Sequence, residues 1–465
     1  MSWVDDEFEQ LNLGDQRLNH RTKRVVEALE AAPQVSLPRA LGGWSEVKGA
    51  YRLFANAEVT PEELLSPHIA MTHKRMAGQP VVLCLNDTTE VEFNAHSAAL
   101  GLGPLAYEFQ SGFLLHPLLA VTPDRRCLGL LDAQWLVRDP DRHGQSVATK
   151  KRRPLEKKES HRWPAAFAQV CAQAALVPDS RLVYVADRES DIYELLLAAQ
   201  GAPADLLIRC NQNRALKDGG KIHAATKGIA PLGTVEIAVP RSHGRAERTA
   251  RLTLRAARVT VRPPFRKGTK LEEITITVVH ALEERPPKGS AALNWILLTN
   301  REANTLDGAS TLLSWYVCRW QIEVYFRVLK VGCGIEKLQL GSYDRLRTAI
   351  AIYLIVAWRI QYLLSMGRSH PDLPCDEHFD AEEWRAAWIV SKRTPPPAKP
   401  PKLQEMIRIV ACLGGFLGRK SDGNPGAQTL WIGLEKVRHF AMAFAIQAEM
   451  ARIQAEKTSK SKRRR

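Results

Sequence analysis

The chain has 465 residues, 45% of them hydrophobic and 25% charged, so it can form two or three domains with a large core. Its net charge of +15 is unusual and favours a polyanionic partner, although a merely basic soluble protein could have the same balance. The eight cysteines form no C-x-x-C pair, which argues against a zinc ribbon or a disulfide framework and predicts reduced thiols in the cytoplasm.

The first 75 residues predict a small helical domain. Val25, Val26 and Leu29 fall on one face of a short helix with basic side chains opposite, and a second helix is expected around Tyr51. Small helices with exposed arginine and lysine suit docking on DNA, while a helical protein-interaction domain is the alternative. The opening residues are acidic and lack an apolar core, so we expect no signal peptide.

Short apolar runs begin at Pro80 and predict strands. Residues 81–86 and 181–186 read as two buried strands, and an aspartate follows each one directly, Asp87 and Asp187. Further elements are expected as strands over 113–121, 127–131 and 133–137 and as a helix over 163–176. Side chains at strand ends lie at the rim of an open α/β sheet, where sites form. Taken singly, Asp87 also suits a turn and Asp187 a helix N-cap.

The segment of about 205–300 is predicted to be β-rich, because its apolar residues recur with a period of two. It carries an arginine-dense face, formed by Arg241, Arg245, Arg248, Arg251, Arg255, Arg258 and Arg262. A last apolar strand over 294–300 contains Trp295 and leads into a long helical segment.

That segment, 310–334, contains no proline and ends in glycines, which predicts one helix with a left-handed C-terminal cap. At about 100° per residue, five polar side chains fall on one stripe about 80° wide. They are Tyr316, Arg319, Glu323, Arg327 and Lys330. Apolar residues cover most of the remaining circumference, so the helix should be buried with this stripe aimed at a partner. The alternative is a solvated face with spaced ion pairs.

The C-terminal part is predicted to be helical. The longest apolar run, 349–358, is shorter than a bilayer requires, so we expect a core helix there. A connector over 366–402 contains a proline-rich linker, which should be extended and should space two domains. Helices follow over 403–455, and a basic tail over 456–465 is expected to be disordered and to bind nucleic acid non-specifically.

Three carboxylates are placed as a phosphodiester-cleaving site would need them: Asp87 and Asp187 at strand ends, and Glu323 in a buried helix. Hydrolysis or transfer at a phosphodiester can use two hard cations, which activate the attacking oxygen and stabilise the leaving oxygen. Carboxylate oxygens are the ligands that such cations prefer. The three positions together therefore favour metal-dependent phosphoryl transfer.

The same residues carry a resemblance to a known family. Asp87-Thr-Thr, Asp187-Arg-Glu-Ser-Asp and a spaced set of four residues resemble the DDE transposases of bacterial insertion sequences that have the YREK signature. The four are Tyr316, Arg319, Glu323 and Lys330. The agreement covers nearly the whole chain and continues at residues 13–17, 48–52, 156–160 and 413–416.

The resemblance implies an α/β fold with an RNase H-like catalytic core over 76–365, interrupted by the β-rich insertion at about 205–300. It implies a helical domain over 1–75 that binds the transposon ends and a helical dimerisation domain over 403–455. The implied partners are double-stranded DNA, both transposon ends and target, and a second copy in a synaptic complex. No membrane partner is expected, and the implied location is the bacterial cytoplasm, in association with the nucleoid.

By the same resemblance, Asp87, Asp187 and Glu323 are the catalytic residues and bind two Mg²⁺ ions, which Mn²⁺ can replace. The residues implied to contact DNA are Tyr316, Arg319, Lys330, Trp295, Arg209 and Arg214. Tyr316, Arg319 and Lys330 would hold phosphates of the transposon terminus. Trp295 would receive a flipped base during hairpin formation, with a core strand position as the alternative. Arg327 is not in the signature but shares the polar stripe, so we expect it to touch DNA as well.

The expected function is that of a cut-and-paste DNA transposase. It would nick the transposon end, form and open a DNA hairpin, and join the freed 3′ ends to target DNA. A structure-specific, metal-dependent nuclease with the same core is one alternative. A domesticated DNA-binding protein without activity is another.

Overall fold

The computed structural model describes residues 2–94, 101–107, 109–142, 153–239, 247–266 and 270–463. Arg241 and Arg245 of the predicted arginine-dense face lie outside the described residues. The chain divides into two compact units. Unit 1 comprises Met1–Met71, Val91–Gly112 and Val324–Arg465, and unit 2 comprises Thr72–Glu90 and Phe113–Glu323.

The chain begins with helices, as predicted. They are α1 (Trp3–Glu7), α2 (Gln16–Ala31), α3 (Leu37–Leu41), α4 (Trp44–Phe54) and α5 (Pro61–Met76). The carboxylate of Asp15 caps α2 by accepting a hydrogen bond from the backbone N–H of Arg17. Val25, Val26 and Leu29 are buried, so the predicted apolar face of α2 is confirmed.

Eleven strands of the described residues form one mixed sheet. They are β1 (Val81–Asn86), β2 (Thr89–Glu92), β3 (Gly103–Pro104), β4 (Ser111–Val121), β5 (Cys127–Leu136), β6 (Arg181–Ala186), β7 (Asp205–Arg209), β8 (Gly233–Val239), β9 (Arg248–Val261), β10 (Ile274–Leu282) and β11 (Asn294–Thr299). The order across the sheet is β2-β4-β1-β6-β7-β11-β10-β9-β8, and β3 and β5 pair with β4. Strands 127–131 and 133–137, predicted as two, are a single strand, β5.

The centre of the sheet is parallel and buried. Strand β6 pairs in parallel with β1 on one side and with β7 on the other. Both β1 and β6 are buried at every position after the first, including residues that point to opposite faces. Both faces are therefore covered by protein, which is typical of parallel strands and explains their continuous apolar runs.

The helices of the middle of the chain are α6 (Arg162–Ala174), α7 (Tyr193–Ala198), α8 (Ile222–Gly228), α9 (Leu306–Val317) and α10 (Trp320–Arg327). The prediction of one uninterrupted helix over 310–334 is wrong. The chain leaves the helix at Cys318 and Arg319, where hydrogen bonds tighten to a three-residue spacing, and it continues from Val328 as a π-helical turn. Gly334 then adopts a φ of 62°, the left-handed conformation expected at this end.

The last helices, all in unit 1, are α11 (Tyr343–Ser369), α12 (Ala381–Lys392), α13 (Leu403–Leu413) and α14 (Ala427–Arg463). Helix α11 is long and apolar enough to cross a membrane by length and composition, but 94% of its most apolar window is buried inside the protein. It is therefore the core helix predicted from the run 349–358, extended at both ends.

The proline-rich segment 394–402 connects α12 to α13, and both of these helices pack against α14 within unit 1. The backbone N–H of Cys375 donates to the carbonyl of Pro401, so the segment also pairs with an earlier part of the same unit. The backbone of α14 continues through the predicted basic tail as far as Arg463. Side chains from residue 457 onward lie outside the described ones.

Candidate active site

Two aspartates lie at one edge of the parallel strands. Asn86 of β1 pairs with Ala186 of β6, so Asp87 and Asp187 leave adjacent strands at the same level. The Asp87 carboxylate accepts a hydrogen bond of 2.8 Å from the backbone N–H of Thr88. Asp187 begins a short helical turn and accepts 2.8 Å from the backbone N–H of Glu189. The structure therefore brings together the two strand-end aspartates that the sequence singled out.

Arg319 joins Glu323 to this pair. Its Nη1 lies 2.8 Å from Oδ2 of Asp87, and its Nη2 lies 2.6 Å from Oε1 of Glu323. The Arg319 side chain is 12% exposed and that of Asp87 is 20% exposed, whereas Glu323 is 55% exposed. The site thus combines a mostly buried carboxylate and guanidinium with a second, exposed carboxylate.

The carboxylates interact electrostatically. Burial raises the pKa of Asp87 from its ordinary value of 3.8 to about 6, the positive charge of Arg319 opposes this, and the charges of Asp187 and Glu323 add to it. Asp187 and Glu323 are therefore each near enough to Asp87 to repel its negative charge. Such repulsion is relieved by a cation, and in this structure the cation in contact is the Arg319 guanidinium.

The donor set fits a hard divalent cation, because all its ligand atoms are carboxylate oxygens. In the part of the chain that the structure describes, no group of three histidine, cysteine, aspartate or glutamate side chains is close enough to hold a metal ion as it stands. Asp87 and Glu323 instead each make a short ion pair with Arg319. Loading the site with metal therefore requires these carboxylates to exchange partners.

The raised pKa of Asp87 predicts a pH-dependent stability. The folded protein binds the Asp87 proton more tightly than the unfolded chain does, so its stability should fall as pH rises from about 4 to about 6. Asp87→Asn removes the titrating carboxyl and with it this dependence of stability on pH. With metal chelated, the free energy of unfolding of the wild type should fall relative to that of the variant by up to about 3 kcal/mol between pH 4 and pH 7, since a tenfold change in an acid constant is about 1.4 kcal/mol. Urea denaturation across this range measures it, and parallel curves for the two proteins would contradict it.

A second network lies behind Asp87. The hydroxyl of Thr88 is 2.8 Å from Nδ1 of His116 and accepts 2.9 Å from Nε of Arg162. Nη2 of Arg162 donates 2.9 Å to the Glu189 carboxylate. Burial lowers the pKa of His116 to about 3, so His116 stays neutral. Arg162 therefore ties the segment that follows β1 to the segment that follows β6, and each of these segments begins with a candidate metal ligand.

If the two aspartates have the catalytic role that the family resemblance implies, Arg162→Gln should slow DNA cleavage by misplacing them. A shift of about 1 Å in a reacting geometry costs about 100-fold in rate, and we expect a loss of that order in the single-turnover cleavage rate constant. Affinity for end DNA should change little, since the Arg162 side chain is only 8% exposed. An unchanged rate constant in the folded variant would show that Arg162 has no positioning role.

Three of the residues predicted to contact DNA lie beside this cluster: Tyr316, Trp295 and Arg209. Tyr316 on α9 is buried, and its ring meets that of Trp295 on β11 edge-on with centroids 5.8 Å apart. Trp320 meets the same tryptophan at 6.3 Å. Burial raises the pKa of Tyr316, while the nearby charges of Arg319 and Arg209 lower it. Trp295 thus packs as a buried strand residue, and its neighbour Tyr316 is close enough to both arginines to feel their charge.

Arg214 is committed to a different partner. Its guanidinium forms an ion pair with Asp191, and only 10% of the Arg214 side chain and none of the Asp191 side chain is exposed. The same carboxylate accepts hydrogen bonds of 2.6 Å from the backbone N–H groups of Asn211 and Gln212. This pair therefore holds the loop after β7, and the predicted DNA contact of Arg214 remains untested.

The two remaining residues of the predicted stripe belong to unit 1. Nζ of Lys330 lies 3.0 Å from Oε1 of Glu336. Arg327 is exposed, and no ion pair links it to any described residue. Arg162 and His116 were missed by the sequence analysis; the one local signal was the position of Arg162 directly before a buried tryptophan, Trp163.

Three family models match the chain. A transposase DNA-binding domain matches residues 1–59, a transposase DDE domain matches residues 165–359, and a Tn5 transposase dimerisation domain matches residues 355–457. The predicted order of a DNA-binding, a DDE and a dimerisation domain is confirmed. The domain boundaries remain a prediction, and the dimerisation match includes the proline-rich segment.

Among solved structures, a cryo-EM structure of the piggyBac transposase synaptic complex with hairpin DNA is similar to this chain, with a TM-score of 0.36 and 9% identity. The alignment covers 79% of this chain and 72% of that chain. At this level the likeness carries no argument about the site.

Proposed function

We infer that this chain, which carries the DNA-binding, DDE and dimerisation domains of Tn5-type transposases in that order, is a cut-and-paste DNA transposase. The observation that carries the proposal is the cluster in which Arg319 links Asp87 to Glu323 while Asp187 follows the neighbouring strand. This arrangement supports the proposal because two of the carboxylates follow neighbouring strands and the third shares an arginine partner with one of them.

The proposed catalytic core is RNase H-like and spans 76–365, with the β-rich insertion at about 205–300. Its support is the mixed sheet, in which parallel β1, β6 and β7 are flanked by antiparallel β4 and β5. The dimerisation domain over 403–455 would pair two copies in a synaptic complex. We also propose a bacterial cytoplasmic location near the nucleoid, where the DNA substrate is found.

Asp87, Asp187 and Glu323 would hold Mg²⁺ or Mn²⁺, and a bound pair of such ions activates the attacking oxygen and stabilises the leaving oxygen. The protein's own contribution is placement, since Arg162 and Thr88 hold the two segments that begin with the aspartates. Nicking, hairpin formation, hairpin opening and strand joining are all in-line displacements at phosphorus. One carboxylate site can serve every step, because nucleophile and leaving group exchange places.

Positive and aromatic side chains of both units would hold the DNA end. Their proposed phosphate contacts are Tyr316, Arg319, Arg327, Lys330 and Arg209. Trp295 would take up a flipped base, which requires the Tyr316 and Trp320 rings to move from their present edge-on packing. The charge on these arginines and lysines would give end binding a strong salt dependence.

The N-terminal helices offer a surface for the transposon end. Along α4, Trp44, Lys48 and Arg52 recur every four residues and so share one face, and all three are exposed. Trp44 is 79% exposed, which is unusual for a tryptophan, and the opposite face of α4 is buried. A face that combines an aromatic ring with two cations suits contact with DNA.

The decisive experiment starts with the DNA on either side of the gene. Matched inverted ends should be present there, and the purified protein should cleave them in Mg²⁺. A pre-cut donor then distinguishes the alternatives: a transposase joins its 3′ ends to target DNA, a nuclease cleaves but does not join, and an inactive DNA-binding protein only binds. Failure to join would refute the transposase proposal.

A further inference from the structure

We propose that Arg319 is an internal counter-ion of the metal site: it competes with metal for the carboxylates in the DNA-free protein and is released to DNA when metal binds. This inference rests on the proposed function of the site. It predicts that the same arginine weakens metal binding and strengthens DNA binding, so the two ligands are coupled through one side chain.

The contacts support competition for the same atoms. Arg319 lies 2.8 Å from Oδ2 of Asp87 and 2.6 Å from Oε1 of Glu323, distances typical of charge-assisted hydrogen bonds. A divalent cation held by these carboxylates would take the same oxygens. It would also repel the guanidinium, and that repulsion is strong because Arg319 is only 12% exposed and therefore poorly screened.

Arg319 is not fully satisfied where it lies. Its Nε is buried and makes no hydrogen bond with any described residue. A buried donor without a partner costs free energy, so this position is less stable than one in which the whole guanidinium is paired. Two phosphate oxygens could satisfy the guanidinium fork, because Arg matches phosphate in a bidentate geometry.

The backbone at Arg319 permits such a move. Arg319 lies between α9, which ends at Val317, and α10, which begins at Trp320. Its backbone is therefore outside the regular hydrogen-bond pattern of both helices, so a local change of backbone there would break no regular helical turn. Tyr316, a second predicted phosphate contact, is the residue whose carbonyl accepts the Arg319 N–H at 3.0 Å.

The test measures metal affinity, not turnover. Mn²⁺ is titrated into the full-length protein without DNA, and free Mn²⁺ is followed by electron paramagnetic resonance. Arg319→Gln should bind Mn²⁺ at least about fivefold more tightly than the wild type, the lower range of typical coupling between two ligands. Arg319→Lys keeps the positive charge but loses the two-pronged guanidinium, so its Mn²⁺ affinity should lie between those of the wild type and Arg319→Gln. It replaces the glutamine variant in the test if that variant fails to fold.

Arg301→Gln is the matched control. Arg301 also belongs to unit 2 and makes an equally short ion pair of 2.6 Å, with Asp205 at the start of β7. The Arg301→Gln variant loses one positive charge but leaves Asp87 and Glu323 paired with Arg319. Its Mn²⁺ affinity should therefore equal that of the wild type. An equal gain in Arg301→Gln would mean that overall charge, and not Arg319, sets the affinity, and it would overturn the inference.

Glu323→Gln distinguishes the inference from the function on which it rests. If Glu323→Gln loses Mn²⁺ binding but Arg319→Gln binds as the wild type does, the metal site stands and the counter-ion role is refuted. If Glu323→Gln binds Mn²⁺ normally, the carboxylates are not the metal site and both proposals fail. On cut end DNA, Arg319→Gln should bind more weakly, with a salt slope smaller by about 1.

Discussion

Glu323→Gln is expected to abolish DNA cleavage, with a fall of at least about 1,000-fold in the single-turnover rate constant, while binding of end DNA persists. The substitution keeps the shape of the side chain and removes its charge. Glu323 is more than half exposed, so its ion pair with Arg319 contributes little to stability, about 1 kcal/mol or less. Loss of activity would therefore report on chemistry and not on unfolding.

Glu302→Gln is a suitable control for this variant. Glu302 lies in the same unit, is 66% exposed and pairs with Arg258 at 2.6 Å, the same distance as that between Glu323 and Arg319. It should cleave like the wild type. The rate constant is measured on a labelled end fragment in excess Mg²⁺, and binding is measured on the same fragment with metal chelated. Normal cleavage by Glu323→Gln would remove Glu323 from the site.

Among the substitutions discussed, Asp191→Ala is expected to lower the free energy of unfolding most, by about 3–5 kcal/mol, because it leaves the Arg214 charge buried without its partner. It also removes the acceptor for the backbone N–H groups of Asn211 and Gln212, so the loop after β7 loses its anchor. The midpoint of urea denaturation should fall accordingly. Glu302→Ala, which breaks an exposed pair, should change stability by less than about 1 kcal/mol.

This result would also settle the role of Arg214. If its charge serves the fold, Arg214→Gln should lose stability too, and the double variant should be no less stable than the worse single one. DNA affinity of the folded fraction should then be close to that of the wild type. A specific loss of DNA affinity without loss of stability would instead support the contact predicted from the sequence.

Local sequence was sufficient for the two strands β1 and β6 and for the places of two of the three carboxylates. Buried parallel strands are continuous apolar runs, so β1 and β6 could be bounded within a residue, and the aspartate after each run could be assigned to a sheet edge. The domain order was predictable because different short motifs that resemble one family are spread along the whole chain. Helical periodicity also predicted α2, and the apolar run 349–358 predicted the core helix α11.

The partners of the charged side chains were decided only by the tertiary structure. Arg319 and Asp87 are 232 positions apart, and Arg162 and Thr88 are 74 apart, so no local pattern could pair them. The prediction of a polar stripe over 310–334 assumed one regular helix. The helix is instead interrupted at Arg319, whose guanidinium lies between two carboxylates. By itself the sequence determined which residues carry charge and which strands they follow. The fold determined that Arg319, and not solvent, neutralises the buried Asp87, because burial makes an unpaired charge too costly to leave in place.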